Sequence, residues 1–165
     1  MMVDRLERFA IFEGLTPQDF GSVMQRCRIT TVRKGEKVFE AGKDAQSLFL
    51  VCSGRIELRF KVVYFNGLVE MPFESMGAGK VCGWSAMIPP YVYSLTACAT
   101  EDSELFQIKQ TDLQGLCETN ARLGYIVMKN IALIVVERYE IAWKMLQGEI
   151  LRDLKRKENK GLWQG

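Results

Sequence analysis

Short runs of β-forming residues, separated by glycines, make up the middle of this chain, residues 31–108. Residues 55–62 alternate strictly between apolar and charged side chains, which predicts an antiparallel strand with one face buried and the other in water. Residues 47–52 are nearly all apolar and predict a strand in the core. Similar runs at residues 94–99 and 104–109 complete a set of seven or eight short strands at regular spacing. Such spacing is typical of a sandwich or a jelly-roll barrel.

Helical patterns flank this β-rich region on both sides. Before it, Thr16 is placed to cap a helix whose first position is Pro17. After it, residues 111–114 form a second capping signature, a threonine followed three positions later by a glutamine. The helical pattern weakens at residues 120–124 and resumes from residue 125 to about residue 157. We therefore predict a mainly β fold with flanking helices, a double-stranded β-helix or jelly-roll barrel followed by a long C-terminal helix.

The last predicted helix is longer than a small barrel needs. Roughly 30 helical residues extend about 45 Å, so part of the helix must find a second surface to cover its apolar side. That side is predicted to consist of Val127, Ile131, Ile134, Ile141 and Met145, interrupted by Arg138. We expect a second copy to cover it, giving a homodimer. The predicted organisation is a barrel domain with its N-terminal helix at residues 1–122, a dimerisation helix at 123–158 and a tail at 159–165.

The composition argues against several classes of protein. The chain has no histidine, which removes imidazole bases, Ser-His and Cys-His nucleophile pairs, and histidine ligands for metal or haem. A net charge of +2 is too even for an obvious nucleic-acid-binding surface. The five cysteines lie at least 16 residues apart, which fits neither a disulfide framework nor a zinc site and suits a reducing cytoplasm. No apolar run approaches the roughly 20 residues that a bilayer requires. We expect a cytoplasmic, non-enzymatic protein with no catalytic residues, no metal, no cofactor and no membrane contact.

Four local motifs follow one another along the chain. They are Phe12-Glu13-Gly14-Leu15, Lys34-Gly35-Glu36-Lys37-Val38-Phe39, Ser53-Gly54-Arg55-Ile56 and Met76-Gly77-Ala78-Gly79-Lys80-Val81-Cys82-Gly83. With the order of helix, barrel and long helix, they resemble the cyclic-nucleotide-binding domain of bacterial catabolite activators, kinase regulatory subunits and gated channels. The resemblance extends over about residues 6–145. It implies a sensory or regulatory barrel, with a small molecule as a possible ligand.

In that family a phosphate-binding cassette follows the last motif, here at residues 83–97. A short helix presents its first N–H groups to the cyclic phosphate, a glutamate accepts from the ribose hydroxyl, and an arginine pairs with the phosphate. In this chain the glutamate position falls on Trp84, and the arginine position falls on Tyr93, or on Val92 if the register slips by one. The sequence contains no arginine from residue 60 to residue 121, so no shift recovers it. The resemblance therefore implies weak or absent affinity for cyclic nucleotides.

The candidate ligand-binding residues are those that the resemblance places in the cassette: Gly83, Trp84, Ser85, Ala86, Tyr93, Ser94 and Thr96. The aromatic side chains among them either line a pocket or fill the barrel, and the sequence leaves both open. The first hypothesis is a stand-alone sensory or regulatory module with an altered ligand, and the alternative is a ligand-free scaffold dimer that docks a partner protein. Because only eight residues follow Lys157, we expect no helix-turn-helix and no direct DNA binding by this chain.

Overall fold

Two four-stranded antiparallel sheets form a jelly-roll barrel in the computed structural model, which describes residues 6–159. The described strands are β1 (Cys27–Val32), β2 (Lys37–Phe39), β3 (Ser47–Ser53), β4 (Ile56–Tyr64), β5 (Gly67–Met76), β6 (Val81–Cys82), β7 (Thr96–Ala99) and β8 (Ser103–Lys109). One sheet has the order β1-β8-β3-β6 and the other β2-β7-β4-β5. The predicted fold class is confirmed. By its internal contacts the chain divides into two compact units, residues 1–131 and 132–165.

The core of the first unit lies between the inner faces of the two sheets. Strand β3 is buried along most of its length, as its apolar run predicts. The core also includes Ala86 and Tyr93, two of the predicted cassette residues. The buried cluster comprises Ala45, Phe49, Val51, Ile56, Leu58, Met76, Cys82, Ala86, Tyr93, Ala97, Ala99 and Leu105.

The hairpin of β4 and β5 extends past the rest of its sheet. Strand β7 pairs with β4 only from Ile56 to Arg59, whereas β5 pairs with β4 along its whole length. Alternation predicts that Phe60 and Val62 share the buried face of Ile56. The structure instead leaves Phe60 half-buried and Val62 exposed, because neither residue has a β7 partner beside it.

Helix α1 (Pro17–Met24) begins as its sequence predicts. The Asp19 N–H donates to Thr16 Oγ1 at 3.2 Å, and the Thr16 N–H donates to the Asp19 carboxylate at 3.0 Å. This reciprocal pair satisfies two N–H groups at the helix start. The same carboxylate is buried and also accepts from Asn120 Nδ2 at 2.9 Å and Arg122 Nη1 at 3.0 Å. Asp19 therefore ties α1 to residues far along the chain.

Two helices follow the barrel, α2 (Gln110–Thr119) and α3 (Ala121–Asn159). The predicted cap at Thr111 is wrong: the cap position is Lys109, two residues earlier, so α2 begins directly after β8, and the Gln110 N–H donates to the Gln46 carbonyl. The predicted break is confined to Asn120, whose Oδ1 accepts from the Leu123 N–H at 3.0 Å and so caps α3. Gly124 lies inside α3, where a Cβ would stand 2.8 Å from the Cys117 carbonyl oxygen.

The second unit, as far as the structure describes it, consists of the helical residues 132–159. Two residues of the predicted apolar stripe, Val127 and Ile131, are buried in the first unit. Within the second unit Ile134 and Ile141 are half-buried and Met145 is exposed. Of the predicted tail, all but Asn159 lies outside the described residues, and the functional boundaries at 122 and 158 stay predictions. No described helix is long and apolar enough to cross a membrane.

Candidate functional site

The cassette begins with a sharp turn that the sequence can make only at a glycine. Gly83 follows β6 with a φ of 78°, a left-handed conformation that side chains disfavour. A Cβ at this position would lie 2.8 Å from the Ser47 carbonyl oxygen, so the backbone of the cassette is pressed against β3. A single 3-10 turn, Trp84–Met87, comes next, and Ala86 on this turn is fully buried in the core.

Tyr93, where the resemblance predicts the position of the family arginine, is turned into the barrel. Its hydroxyl donates to the Ser47 carbonyl oxygen at 2.7 Å and accepts from the Ser47 N–H at 3.1 Å. Its ring stacks on Phe39, with centroids 4.0 Å apart and planes at 15°. Burial raises the pKa of the Tyr93 phenol, so the group is neutral at physiological pH. Tyr93 thus fills the interior with an uncharged group at the position where the resemblance predicts a cation.

The remaining predicted site residues separate into a buried and an accessible set. Thr96 is buried, and its Oγ1 accepts from the Ala41 N–H at 3.1 Å. Trp84 and Ser85 are partly exposed, and Ser94 is exposed. The structure therefore brings Gly83, Ala86 and Tyr93 together inside the barrel and leaves Trp84, Ser85 and Ser94 within reach of solvent.

Sequence reasoning did not find the segment that runs beside the cassette. The Gly42 N–H donates to the Tyr93 carbonyl at 2.8 Å, and the Tyr93 N–H donates to the Lys43 carbonyl at 2.9 Å. The Lys43 side chain is exposed on this segment. The glycine at position 42, which adopts a positive φ of 84°, was the sign of a tight turn in the sequence, but nothing in the local sequence shows where the turn packs. Lys43 is therefore a cation near the cassette. It lies outside the cassette in sequence, so a search for an arginine within the cassette does not find it.

The cations on β4 are engaged on the outer face of the barrel, as the strand alternation predicts. Arg59 donates to Glu57 at 2.7 Å, and Lys61 pairs with Glu40 at 3.2 Å. Hydrogen bonds from Lys61 and then Lys37 hold the pKa of Glu40 below its usual value. Within residues 6–159 no group of three or more acidic, cysteine or histidine side chains is placed to hold a metal ion.

Comparison with models of protein families identifies the family of this chain. The model of the cyclic nucleotide-binding domain matches residues 29–120, more than half of the 165-residue chain. The chain belongs to the cyclic nucleotide-binding domain family. The resemblance predicts that its cassette departs from the family pattern at two charged positions, which fall on Trp84 and Tyr93.

Relatives of this cyclic nucleotide-binding domain include a bacterial receptor. The cyclic AMP receptor protein of Thermus thermophilus is 27% identical over 128 residues, which are 78% of this chain and 56% of that protein. The chain therefore spans little more than half the length of this curated relative. The solved structure of a Geobacter metallireducens protein described as cyclic nucleotide-binding has 26% identity and a TM-score of 0.71, covering 84% of this chain and 98% of that one.

A more distant structure shares the fold alone. The regulatory subunit of a cAMP-independent protein kinase A from Trypanosoma brucei, solved as a mutant bound to cAMP, has a TM-score of 0.73 at 13% identity. The match covers 88% of this chain and 50% of that one.

Proposed function

We propose that this domain is a non-enzymatic, cytoplasmic regulatory module that binds cyclic nucleotides weakly or not at all and forms a homodimer through α3. The observation that carries the proposal is the placement of Tyr93. A side chain at the arginine position that is stacked on Phe39 and bonded twice to Ser47 has no free group to offer a phosphate.

A tyrosine in place of the arginine lowers the affinity for a phosphate because a positive charge is lost. Loss of a charge-assisted hydrogen bond weakens binding by about 1.5–3 kcal/mol, which is roughly ten- to a hundredfold in affinity. Trp84 in place of the glutamate removes a second charged contact. Swinging Tyr93 outward to make room would leave the Ser47 N–H without this partner and open a cavity beside Phe39, which adds to the cost.

Calorimetry with cyclic AMP and cyclic GMP tests the proposal directly. We expect no saturable binding of either nucleotide in the low micromolar range. A parallel titration of Lys43→Ala measures whether the exposed lysine beside the cassette contributes to any weaker binding that appears. Tight binding by the wild-type chain would contradict the proposal.

An altered ligand is the second part of the proposal. The predicted site residues that reach solvent are Trp84, Ser85 and Ser94, which offer two hydroxyls and part of an indole ring whose Nε1 is buried. Tyr93 and Thr96 are already engaged with Ser47 and Ala41. A ligand of this cassette would therefore be neutral or weakly charged and would contact its outer residues, with Gly83 and Ala86 forming the floor.

The homodimer is proposed on the exposed face of α3 in the second unit. Large apolar side chains recur there at spacings of three and four, all of them exposed: Val136, Tyr139, Trp143, Leu146 and Ile150. This spacing is that of a coiled-coil seam. It replaces the predicted stripe, two of whose residues are used inside the first unit.

A ligand-free scaffold dimer that docks a partner protein is the second candidate. The filled barrel favours it, because Ala86 and Tyr93 are buried where a pocket would have to open. A thermal-shift screen of neutral small molecules separates the two candidates. A stabilising compound whose effect is lost in Ser94→Ala or Trp84→Ala supports a sensor, and a screen without such a compound supports the scaffold.

A further inference from the structure

A cavity of about 240 Å³ lies where three stretches of the first unit meet. Two of its lining residues precede the barrel, two lie near the end of β3, and two lie in the turn between β5 and β6. They are Arg8, Phe9, Val51, Cys52, Ala78 and Gly79. None of them is a predicted cassette residue, so the cavity is separate from the site described above. Pockets for drug-sized ligands measure about 300–1,000 Å³, so this cavity suits a smaller molecule.

Hydrogen bonds and packing fix the walls of the cavity. The Gly79 N–H donates to the Val51 carbonyl at 2.9 Å, and the Val51 N–H donates to the Lys80 carbonyl at 2.9 Å. These two bonds hold the β5–β6 turn against β3. On the other side Phe9 is buried, and its ring packs edge-on against Phe106 with centroids 6.5 Å apart. The cavity is therefore formed before any ligand binds.

Gly79 faces the stretch of chain that carries Arg8. It has a φ of 88°, and a Cβ at this position would lie 3.7 Å from the Arg8 carbonyl oxygen. A side chain on residue 79 would therefore stand between the turn and the main chain of Arg8. This glycine belongs to the Gly77-Ala78-Gly79 motif of the sequence, to which the proposed function assigns no role.

The cavity carries one positive charge and no negative charge on its lining residues. Arg8 is exposed, and within residues 6–159 no acidic side chain pairs with it. A guanidinium group keeps its charge at every physiological pH and matches the two oxygens of a carboxylate. The other lining side chains are uncharged, including the thiol of Cys52 and the methyl group of Ala78.

We propose that this cavity binds a small organic carboxylate. The carboxylate pairs with the Arg8 guanidinium, and the hydrocarbon part of the ligand lies against Phe9, Cys52 and Ala78. A single lining cation with uncharged walls favours a monoanion with an apolar body over a more highly charged anion. The site shares no residue with the cassette, so it can bind a ligand whether or not the cassette does.

An NMR titration of the full chain with acetate, butyrate and benzoate tests the proposal. We expect at least one of these probes to bind saturably and to shift the backbone amide signals of Cys52, Ala78 and Gly79. Arg8→Gln should weaken that binding tenfold or more, because charge-assisted hydrogen bonds are lost. Arg28→Gln removes an exposed arginine from β1 and is the matched control, which should bind the probe like the wild type.

Two measurements on the wild-type chain do not depend on how a variant folds. The uncharged amide of the probe that binds, benzamide in the case of benzoate, should bind tenfold or more weakly than the acid. A saturating concentration of the probe should also slow alkylation of Cys52 by iodoacetamide several-fold, measured by peptide mass mapping. Cys117 is half-buried like Cys52 and lies outside the cavity, so its alkylation rate should not change.

Each of four results would overturn the proposal. They are the absence of saturable binding by all three carboxylates, equal affinity of Arg8→Gln and Arg28→Gln, an amide that binds as well as its acid, and equal protection of Cys52 and Cys117. Inorganic phosphate that binds more tightly than every carboxylate would also overturn it, because the ligand would then be a more highly charged anion. None of these results bears on the calorimetry with cyclic nucleotides, which tests the cassette.

Discussion

The ring of Tyr93 stacks on the ring of Phe39, with centroids 4.0 Å apart and planes at 15°. Phe39 in turn stacks on Phe49, with centroids 5.8 Å apart. These three aromatic residues come from β2, β3 and the cassette, so they join both sheets to the segment that binds phosphate in the family. The cassette of this chain is part of the core, and changes to it should alter stability before they alter binding.

Replacing Tyr93 with phenylalanine should destabilise the domain and keep the ring stack. The change leaves the buried Ser47 N–H without the hydroxyl that accepts from it, at a cost of about 1–3 kcal/mol in the free energy of unfolding. Urea denaturation followed by circular dichroism measures the difference. Tyr139→Phe, at an exposed ring, is the control and should change stability by less than about 0.5 kcal/mol. Equal effects from both variants would contradict the structural role of the hydroxyl.

The double variant Trp84→Glu with Tyr93→Arg should raise affinity for cyclic nucleotides. It places charges at the two positions where the resemblance predicts the family's glutamate and arginine, and each charge-assisted bond regained is worth roughly a tenfold gain or more. Calorimetry on protein shown to be folded by circular dichroism provides the measurement. Trp84→Gln with Tyr93→Met removes the same rings without adding charge, and it should show no gain. A folded Glu-Arg variant that binds no better than this control means that the pocket is blocked.

Replacing Gly83 with alanine should lower the stability of the domain, whereas replacing Gly115 with alanine should raise it. Gly83→Ala forces a Cβ to within 2.8 Å of the Ser47 carbonyl oxygen at a φ of 78°, and should cost more than about 1 kcal/mol of stability. Gly115 lies inside α2 with open space around its Cα, so Gly115→Ala should stabilise by about 0.5–1 kcal/mol. Thermal unfolding of the two alanine variants measures both changes in stability. A tolerated alanine at residue 83 would show that the cassette is not pressed against β3.

Much of the fold follows from the sequence because the barrel is built from local patterns. Strict alternation in β4 predicts that Ile56 and Leu58 face the core. Thr16 followed by Pro17 predicts where α1 begins. Alternation does not say how far a sheet extends, so the exposure of Val62 could not be predicted. The start of α2 was missed because its first N–H is satisfied by Gln46, a residue distant in sequence, instead of by a local cap.

In the site, as in the fold, local sequence predicts the position of a residue but not its contacts with residues distant in sequence. The position of Tyr93 relative to Gly83 follows from counting along the cassette. Its hydrogen-bond partner, Ser47, is 46 residues away, and no local pattern connects the two. Whether an aromatic residue lines a pocket or fills a core depends on such a partner, which is why the sequence left both possibilities open.

Asp19 should make stability depend on pH in the acid range. Hydrogen bonds from the Thr16 side chain and then its backbone lower the pKa of this carboxyl, with Asn120 and Arg122 adding to the effect. Because the folded pKa lies below the unfolded one, the carboxylate stabilises the fold fully above about pH 4 and loses this contribution as pH falls through the folded pKa.

Asp19→Ala should therefore cost about 2–3 kcal/mol at neutral pH, and the gap from the wild type should narrow below about pH 4. Urea denaturation at a series of pH values measures the gap. Asp153→Ala, at an exposed carboxylate of α3, is the control and should give a small difference at every pH. A gap for Asp19→Ala that stays constant down to pH 2 would rule out the charge as its source.

Trp143→Asp should dissociate the homodimer proposed for α3. The side chain lies in the middle of the exposed apolar seam and stacks in parallel on Tyr139, with centroids 6.5 Å apart. A carboxylate there would be buried without a partner in any helix pairing that uses this seam, which is strongly unfavourable. Light scattering at micromolar concentration should give twice the chain mass for the wild type and the single chain mass for the variant. Lys144→Ala changes the neighbouring residue outside the seam and should leave the dimer intact.

Because Ile134 is already half-buried, Ile134→Asp should weaken the dimer less than Trp143→Asp. The reverse order would place the contact on the stripe that the sequence first predicted, and a wild-type monomer would remove α3 as a dimer interface.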